Sequence, residues 1–171
     1  MANQFVGYDN IIPLVAPVAG TTGTITSPYM KLSNAHKASF LISFGAITST
    51  TTTDALTITV DAASVEEGTE VQQDFRYRLS GAVGANTWGA VTSVAAATGL
   101  PMLAPTADNK AVWVELDPDA IGGGTDMLFV RFVLTPAPAS QMEAYVVGGV
   151  GIIEARYKQT THISATASAS A

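Results

Sequence analysis

The 171-residue sequence predicts an all-β fold, and three observations carry that expectation. Apolar and polar residues alternate with the two-residue period of a half-buried strand in segment after segment, while the three-four spacing of an amphipathic helix is almost never present. Gly, Pro, Asn and Asp interrupt the pattern roughly every ten to twenty residues, the punctuation of short strands and turns. About eight strands of this kind fit a single-domain β-sandwich of jelly-roll or Greek-key type, with an up-and-down barrel as the next architecture. The sandwich is expected over residues 18–157, between an extended N-terminal arm at 1–17 and a low-complexity C-terminal arm at 158–171.

The first segment carries Ile11, Ile12, Leu14 and Val15 between turn-forming residues. It is too apolar to be left in water and too interrupted by Pro13 and Pro17 for a central strand, so it is expected to contact a neighbouring subunit. Ala19-Gly20 and Ser27-Pro28 then mark turns. Phe40, Ile42 and Phe44 alternate with Ser39, Leu41 and Ser43. After a threonine run at Ser49 to Thr53, read as a loop edge, Leu56, Ile58 and Val60 alternate with Thr57 and Thr59, whose β-branched side chains suit an exposed strand face. Phe75, Tyr77 and Leu79 alternate with Asp74, Arg76 and Arg78, and Val112, Val114 and Leu116 with Trp113 and Glu115.

The segment Asp126 to Thr135 differs from these. Leu128, Val130, Phe132 and Leu134 face one side and Met127, Phe129 and Val133 the other, with Arg131 alone interrupting. A strand apolar on both faces meets the core with one and a covering loop or second subunit with the other. A homo-oligomer is therefore expected, with Met127, Phe129 and Val133 joining Ile11, Ile12, Leu14 and Val15 as candidate interface residues. Met142 to Tyr157 reads as a last strand, in which Gly148 to Gly151 permit a sharp bend or a close backbone approach. The Ser/Ala/Thr tail that follows has almost no side chain to drive folding, so its order has to come from a partner.

Composition excludes several function classes. At 47% hydrophobic and 13% charged residues the chain is too apolar for disorder and has an unusually neutral surface. Its net charge of -6 argues against neutralising phosphates or an anionic bilayer, so neither nucleic acid nor membrane is an expected partner. The longest apolar run, Ala144 to Ile153, is glycine-broken and about half the ~20 residues a spanning helix needs. No cysteine is present, which removes disulfides, thiolate metal sites and cysteine nucleophiles. The N-terminal MANQFVGYDN lacks a basic segment followed by an apolar one, so folding in a cytosol is expected.

Candidate chemistry is sparse. His36 and His162 stand outside any triad pattern, and hydrolase, zincin and P-loop motifs are missing. Gly148-Gly149-Val150-Gly151 echoes a nucleotide-binding loop but runs into strand-like Ile152-Ile153. Asp117, Asp119 and Asp126 around a glycine triplet resemble a calcium loop, yet Ile121 occupies a ligand position and turn-forming aspartates explain the same residues. Glu66, Glu67 and Glu70, flanked by Asp61 and Asp74, read as a solvated acidic loop. No enzyme, cofactor or metal is expected.

Three short motifs spread over the chain point further: Tyr8-Asp9-Asn10-Ile11-Ile12-Pro13; Val112 to Asp117 leading through an Asp/Gly-rich loop to Asp126 to Arg131; and Glu154-Ala155-Arg156-Tyr157. In these the chain resembles the small auxiliary virion proteins of tailed bacteriophages, the head-decoration or cement class. The resemblance implies a structural virion protein, made in the host cytoplasm and seated on the capsid surface, that stabilises the head by bridging neighbouring major capsid subunits. The motifs leave neck and tail open as placements. Two other classes stay in view. A carbohydrate-recognition adhesin would display exposed aromatics, for which Trp88, Trp113 and Tyr77 are the candidates, and a sandwich hydrolase would need a carboxylate pair in a cleft.

Overall fold

The computed structural model describes residues 9–20, 23–33, 35–49, 51, 53–121, 127–137 and 142–155. Its strands are β1 (Asp9–Gly20), β2 (Ile25–Thr26), β3 (Met30–Lys31), β4 (Ala35–Ser49), β5 (Ala55–Ala63), β6 (Val71–Gln72), β7 (Phe75–Leu79), β8 (Thr92–Val94), β9 (Leu100–Leu103), β10 (Ala111–Leu116), β11 (Phe129–Ala137) and β12 (Met142–Ala155). The helical pieces among the described residues are one turn, α1 (Ala104–Ala107), and a 3-10 turn at Pro118–Ala120. The fold is all-β, in two antiparallel sheets. The first has the order β1-β12-β4-β10-β7-β8; the second has β2-β11-β5-β6, with β3 also on β11 and β9 also on β5.

The expected alternation decides which face is buried. On β10 Val112, Val114 and Leu116 are buried while Ala111, Trp113 and Glu115 stay half-open, and on β11 Val130, Phe132 and Leu134 are buried while Phe129, Arg131 and Val133 are not. Both inner faces feed one hydrophobic core, in which Phe40 of the first sheet meets Phe132 of the second edge to face, centroids 5.4 Å apart. Such a pair adds about 0.5–1.5 kcal/mol beyond the area it buries.

The glycines of β12 make that packing possible. Pairing with β4 is unbroken from Val147 to Glu154, so no sharp bend forms at Gly148 to Gly151; the bulges lie elsewhere. The expected close approach is made by side chains of the facing sheet and of β1. A Cβ on Gly149 would sit 2.7 Å from Phe132 Cζ, and one on Gly151 would sit 2.6 Å from Met30 Sδ and 3.0 Å from Leu14 Cδ1. The glycines are sockets for large core residues. Nearby, the buried Tyr145 donates its hydroxyl to the Gly23 carbonyl (2.6 Å) and its ring lies over Gly20, where a Cβ would clash.

Ser27-Pro28 is an interruption in an edge rather than a free turn, because β2 and β3 pair with the same strand on either side of it. Pro28 has no N–H for the ladder. The buried Ser27 compensates: its N–H donates to the Phe132 carbonyl (3.0 Å) and its Oγ accepts the Phe132 N–H (3.1 Å). In the threonine-run loop, the fully buried Asp54 accepts from the N–H and hydroxyl of Thr51, which closes the turn from β4 to β5.

Some boundaries differ from the sequence reading. From Asp9 onward the expected N-terminal arm is β1, paired along its length with β12, so residues 9–17 belong to the sheet. The two prolines are accommodated because β1 is an edge strand with register shifts at Pro13/Val15 and Val15/Val18. The first shift accompanies an inward Leu14, 8% exposed, which is a core residue and not an interface one. Met127 and Leu128 precede β11 and leave its alternation: Met127 packs on the core and Leu128 is exposed. The C-terminal arm at 158–171 lies outside the described residues.

Candidate functional site

The outer face of the first sheet carries a groove of about 290 Å³ at its β10-β7-β8 end. Strand parity places its walls. Trp113 projects outward from β10 because its neighbours Val112 and Val114 point into the core, and across the ladder it stands opposite Arg78 of β7 and Leu41 of β4. Trp88 comes from the loop joining β7 to β8, which folds back so that Trp88 bridges to Ser80. Hydrogen bonds from Gly81 N–H to Thr87 O (2.9 Å) and from Gly89 N–H to Leu79 O (2.8 Å) hold the loop on each side of it. The two indoles meet at 6.0 Å between centroids and 82° between planes, forming a right-angled corner in which Trp88 remains 39% exposed.

The groove's polar rim comes from the same outward positions. Glu115 is bracketed by two cations, with Lys37 Nζ 3.1 Å from one carboxylate oxygen and Arg76 Nη2 3.1 Å from the other. These are exposed pairs, so each stabilises the fold by only ~0–1 kcal/mol. Their larger consequence is to satisfy the groove's carboxylate, leaving Arg78 with no carboxylate against it among the described residues. Tyr77 also reaches the groove, but it pairs with the buried Val114 and packs on the core, so of the three aromatics singled out by sequence it belongs to the inner side.

A second polar cluster lies on the outer face of the other sheet. Arg131, the lone charge in its apolar strand, stands opposite Asp61 of β5 and binds Glu70 with Nη2 2.5 Å from Oε1. Its guanidinium lies 4.8 Å from the Tyr29 ring centroid, and the Tyr29 hydroxyl donates to the same Glu70 oxygen. Tyr29 also meets Phe129 edge to face. Burial, followed by the hydrogen bond to Glu70, pushes the Tyr29 hydroxyl up to about 12. Burial and then the Glu70 charge raise the Asp61 carboxyl above its ordinary value, against the pull of Arg131. Asp61 is 8% exposed, and its Oδ1 has no hydrogen-bond partner among the described residues. The acidic run is thus more than a solvated loop, since Glu70 folds back to neutralise Arg131 and anchors the β5-β7 connection.

Other residues singled out by sequence are dispersed. His36 is exposed on β4, and His162 lies outside the described residues. Asp117 accepts the Asp119 N–H (3.0 Å) and starts the 3-10 turn, while Asp74 accepts the Ala96 N–H (2.8 Å); Asp126 lies outside the described residues. Ile11 is exposed on β1, Ile12 and Val15 pack partly on the core, and Phe129 and Val133 are half-buried on the outer face of β11. Compared with protein-family models, curated proteins and solved structures, the chain matches none.

Proposed function

We propose that this chain is a structural virion protein of a tailed bacteriophage, a capsid decoration or cement protein that stabilises the head by bridging neighbouring major capsid subunits. The observation that carries this reading is the β1 edge. It is twelve residues long, uncharged after Asp9, and unpaired on its outer side among the described residues, with Ile11 and Val18 exposed by 45% and 43%. Natural sheets blunt such edges with charge, proline or bulges, or cover them. Pro13, Pro17 and the two register shifts limit strand addition along β1, while the exposed Ile11 and Val18 leave an apolar strip for side-chain contact with another chain. An edge of this kind suits a protein that works in an assembly. The jelly-roll form of the fold belongs to the same reading: the strand orders β1-β12-β4-β10 and β2-β11-β5-β9 support two interleaved Greek keys, an architecture used by viral capsid domains.

Bridging acts by avidity. Two modest contacts on adjacent shell subunits bind far more tightly together than either alone, and a shell under internal pressure is held by many such clips. Self-association through β1, or through the outer face of β11 around Phe129 and Val133, is part of the proposal. The test is a mass-spectrometric inventory of particles from lysates that produce the chain, with cryo-EM localisation and an Ile11→Asp variant. Density on the capsid surface, with reduced occupancy of the variant, is expected. Absence from particles, or density confined to neck or tail, overturns the head placement.

A further inference from the structure

We propose that the Trp88/Trp113 corner is a binding site for an acidic saccharide, a function separate from attachment to a shell. Two flat rings at 82° present one ring face as a floor and the other as a wall. The negative face of an indole attracts the weakly positive C–H face of a pyranose, which is flat, small and poorly served by aliphatic surfaces. At about 290 Å³ the groove falls just below the ~300–1,000 Å³ range of drug-sized ligand sites, room for a ring or two and not for a folded partner.

Charge selects the kind of sugar. In a chain of net charge -6, three of its eight Lys and Arg residues, Lys37, Arg76 and Arg78, lie on this one face. Glu115 engages Lys37 and Arg76, which leaves Arg78, in register with Trp113, as the guanidinium available to a ligand carboxylate or other acidic group. A guanidinium fork matches such a group through two parallel hydrogen bonds. Among the described residues Glu115 is the one carboxylate lining the groove, whereas glycoside hydrolysis by the common route needs two, so the site is read as one that binds and does not cleave. Nucleic acid, the other ligand with flat rings and acidic groups, is disfavoured by the overall negative charge.

Position makes the two functions compatible. Backbone hydrogen bonds on both sides of Trp88 fix the wall of the groove. The groove lies towards β8, and β8 is five strand spacings, about 24 Å, from β1. A chain anchored by its β1 edge therefore leaves the groove free.

The test uses the full chain on an array of uronate-bearing, sialylated, phosphorylated and neutral oligosaccharides, followed by titration with tryptophan fluorescence. Binding to acidic members is expected, weakened about tenfold or more by Trp113→Ala or Trp88→Ala and about tenfold by Arg78→Gln, with unchanged circular dichroism. An array without binding, or binding untouched by all three variants, overturns the site. Equal binding of neutral and acidic members overturns the role of Arg78. Loss of particle attachment in Trp113→Ala together with an empty array reassigns the groove to the shell contact, and this also overturns the proposal.

Discussion

Adding one methyl group at Gly149 and one at Gly148 should move stability in opposite directions, although the two residues are neighbours in β12. A Cβ on Gly149 would stand 2.7 Å from Cζ and 3.1 Å from Cε1 of Phe132, a fully buried ring already wedged against Phe40. The ring has no free direction in which to retreat, so overpacking costs about 1–3 kcal/mol. Alanine returns about 0.5–1 kcal/mol over glycine in a strand interior, which leaves a net loss of up to about 2.5 kcal/mol for Gly149→Ala. For a domain of this size that lowers Tm by up to about 10 °C. On the opposite face, a Cβ on Gly148 would meet Pro17 at an ordinary 3.5 Å, so Gly148→Ala should keep only the favourable term and raise Tm by about 1–4 °C. Calorimetry and urea unfolding followed by tryptophan fluorescence measure both. Phe132→Leu, which shortens the offending ring, should offset part of the Gly149→Ala loss, with a coupling of about 0.5–3 kcal/mol in the double-mutant cycle. A Gly149→Ala protein more stable than wild type, or a strictly additive cycle, would refute the socket account of the glycines.

Three further outcomes follow from the polar groups. Because Asp61 titrates above its ordinary value in the fold, the native state binds more protons than the unfolded chain just above pH 4; stability should fall as pH rises through that window, and Asp61→Asn should flatten the fall in a Tm-versus-pH series. Tyr29, pushed up to about 12 in the fold, keeps its proton where the unfolded chain loses it, so stability should decline between about pH 10 and 12 and Tyr29→Phe should remove part of that decline; identical alkaline profiles would count against it. Ser27→Ala should cost about 1–3 kcal/mol in chemical denaturation because it strands the buried Phe132 N–H, and a neutral result would mean that the edge relaxes to satisfy that group another way.

What the sequence alone determined was which side of the regularly alternating strands, β5 and β10 among them, faces the core. Val112, Val114 and Leu116, or Leu56, Ile58 and Val60, could be assigned to the core because the pleat turns successive side chains to opposite faces and water sorts them residue by residue. The same local rule turned Trp113 and Arg78 outward, so half of the candidate site was legible. Trp88 could be named as a candidate exposed aromatic, but its place beside Trp113 was not legible, since it sits in a loop with no period to read and reaches Trp113 only through the way that loop folds back. The Arg131–Glu70–Tyr29 cluster carried one hint, a lone charge in an apolar strand, which demands a counter-charge without saying where it comes from. The tertiary structure alone decided that residues 9–17 form an edge strand, because their partners begin at Glu154, at the other end of the chain. It also decided that Gly149 and Gly151 are sockets, since an empty position has meaning only once the facing sheet supplies the ring or sulfur that fills it. Periodicity is a property of a few consecutive residues; partners across a ladder or between two sheets are chosen by the sum of many weak contacts that exist only when the whole chain has closed.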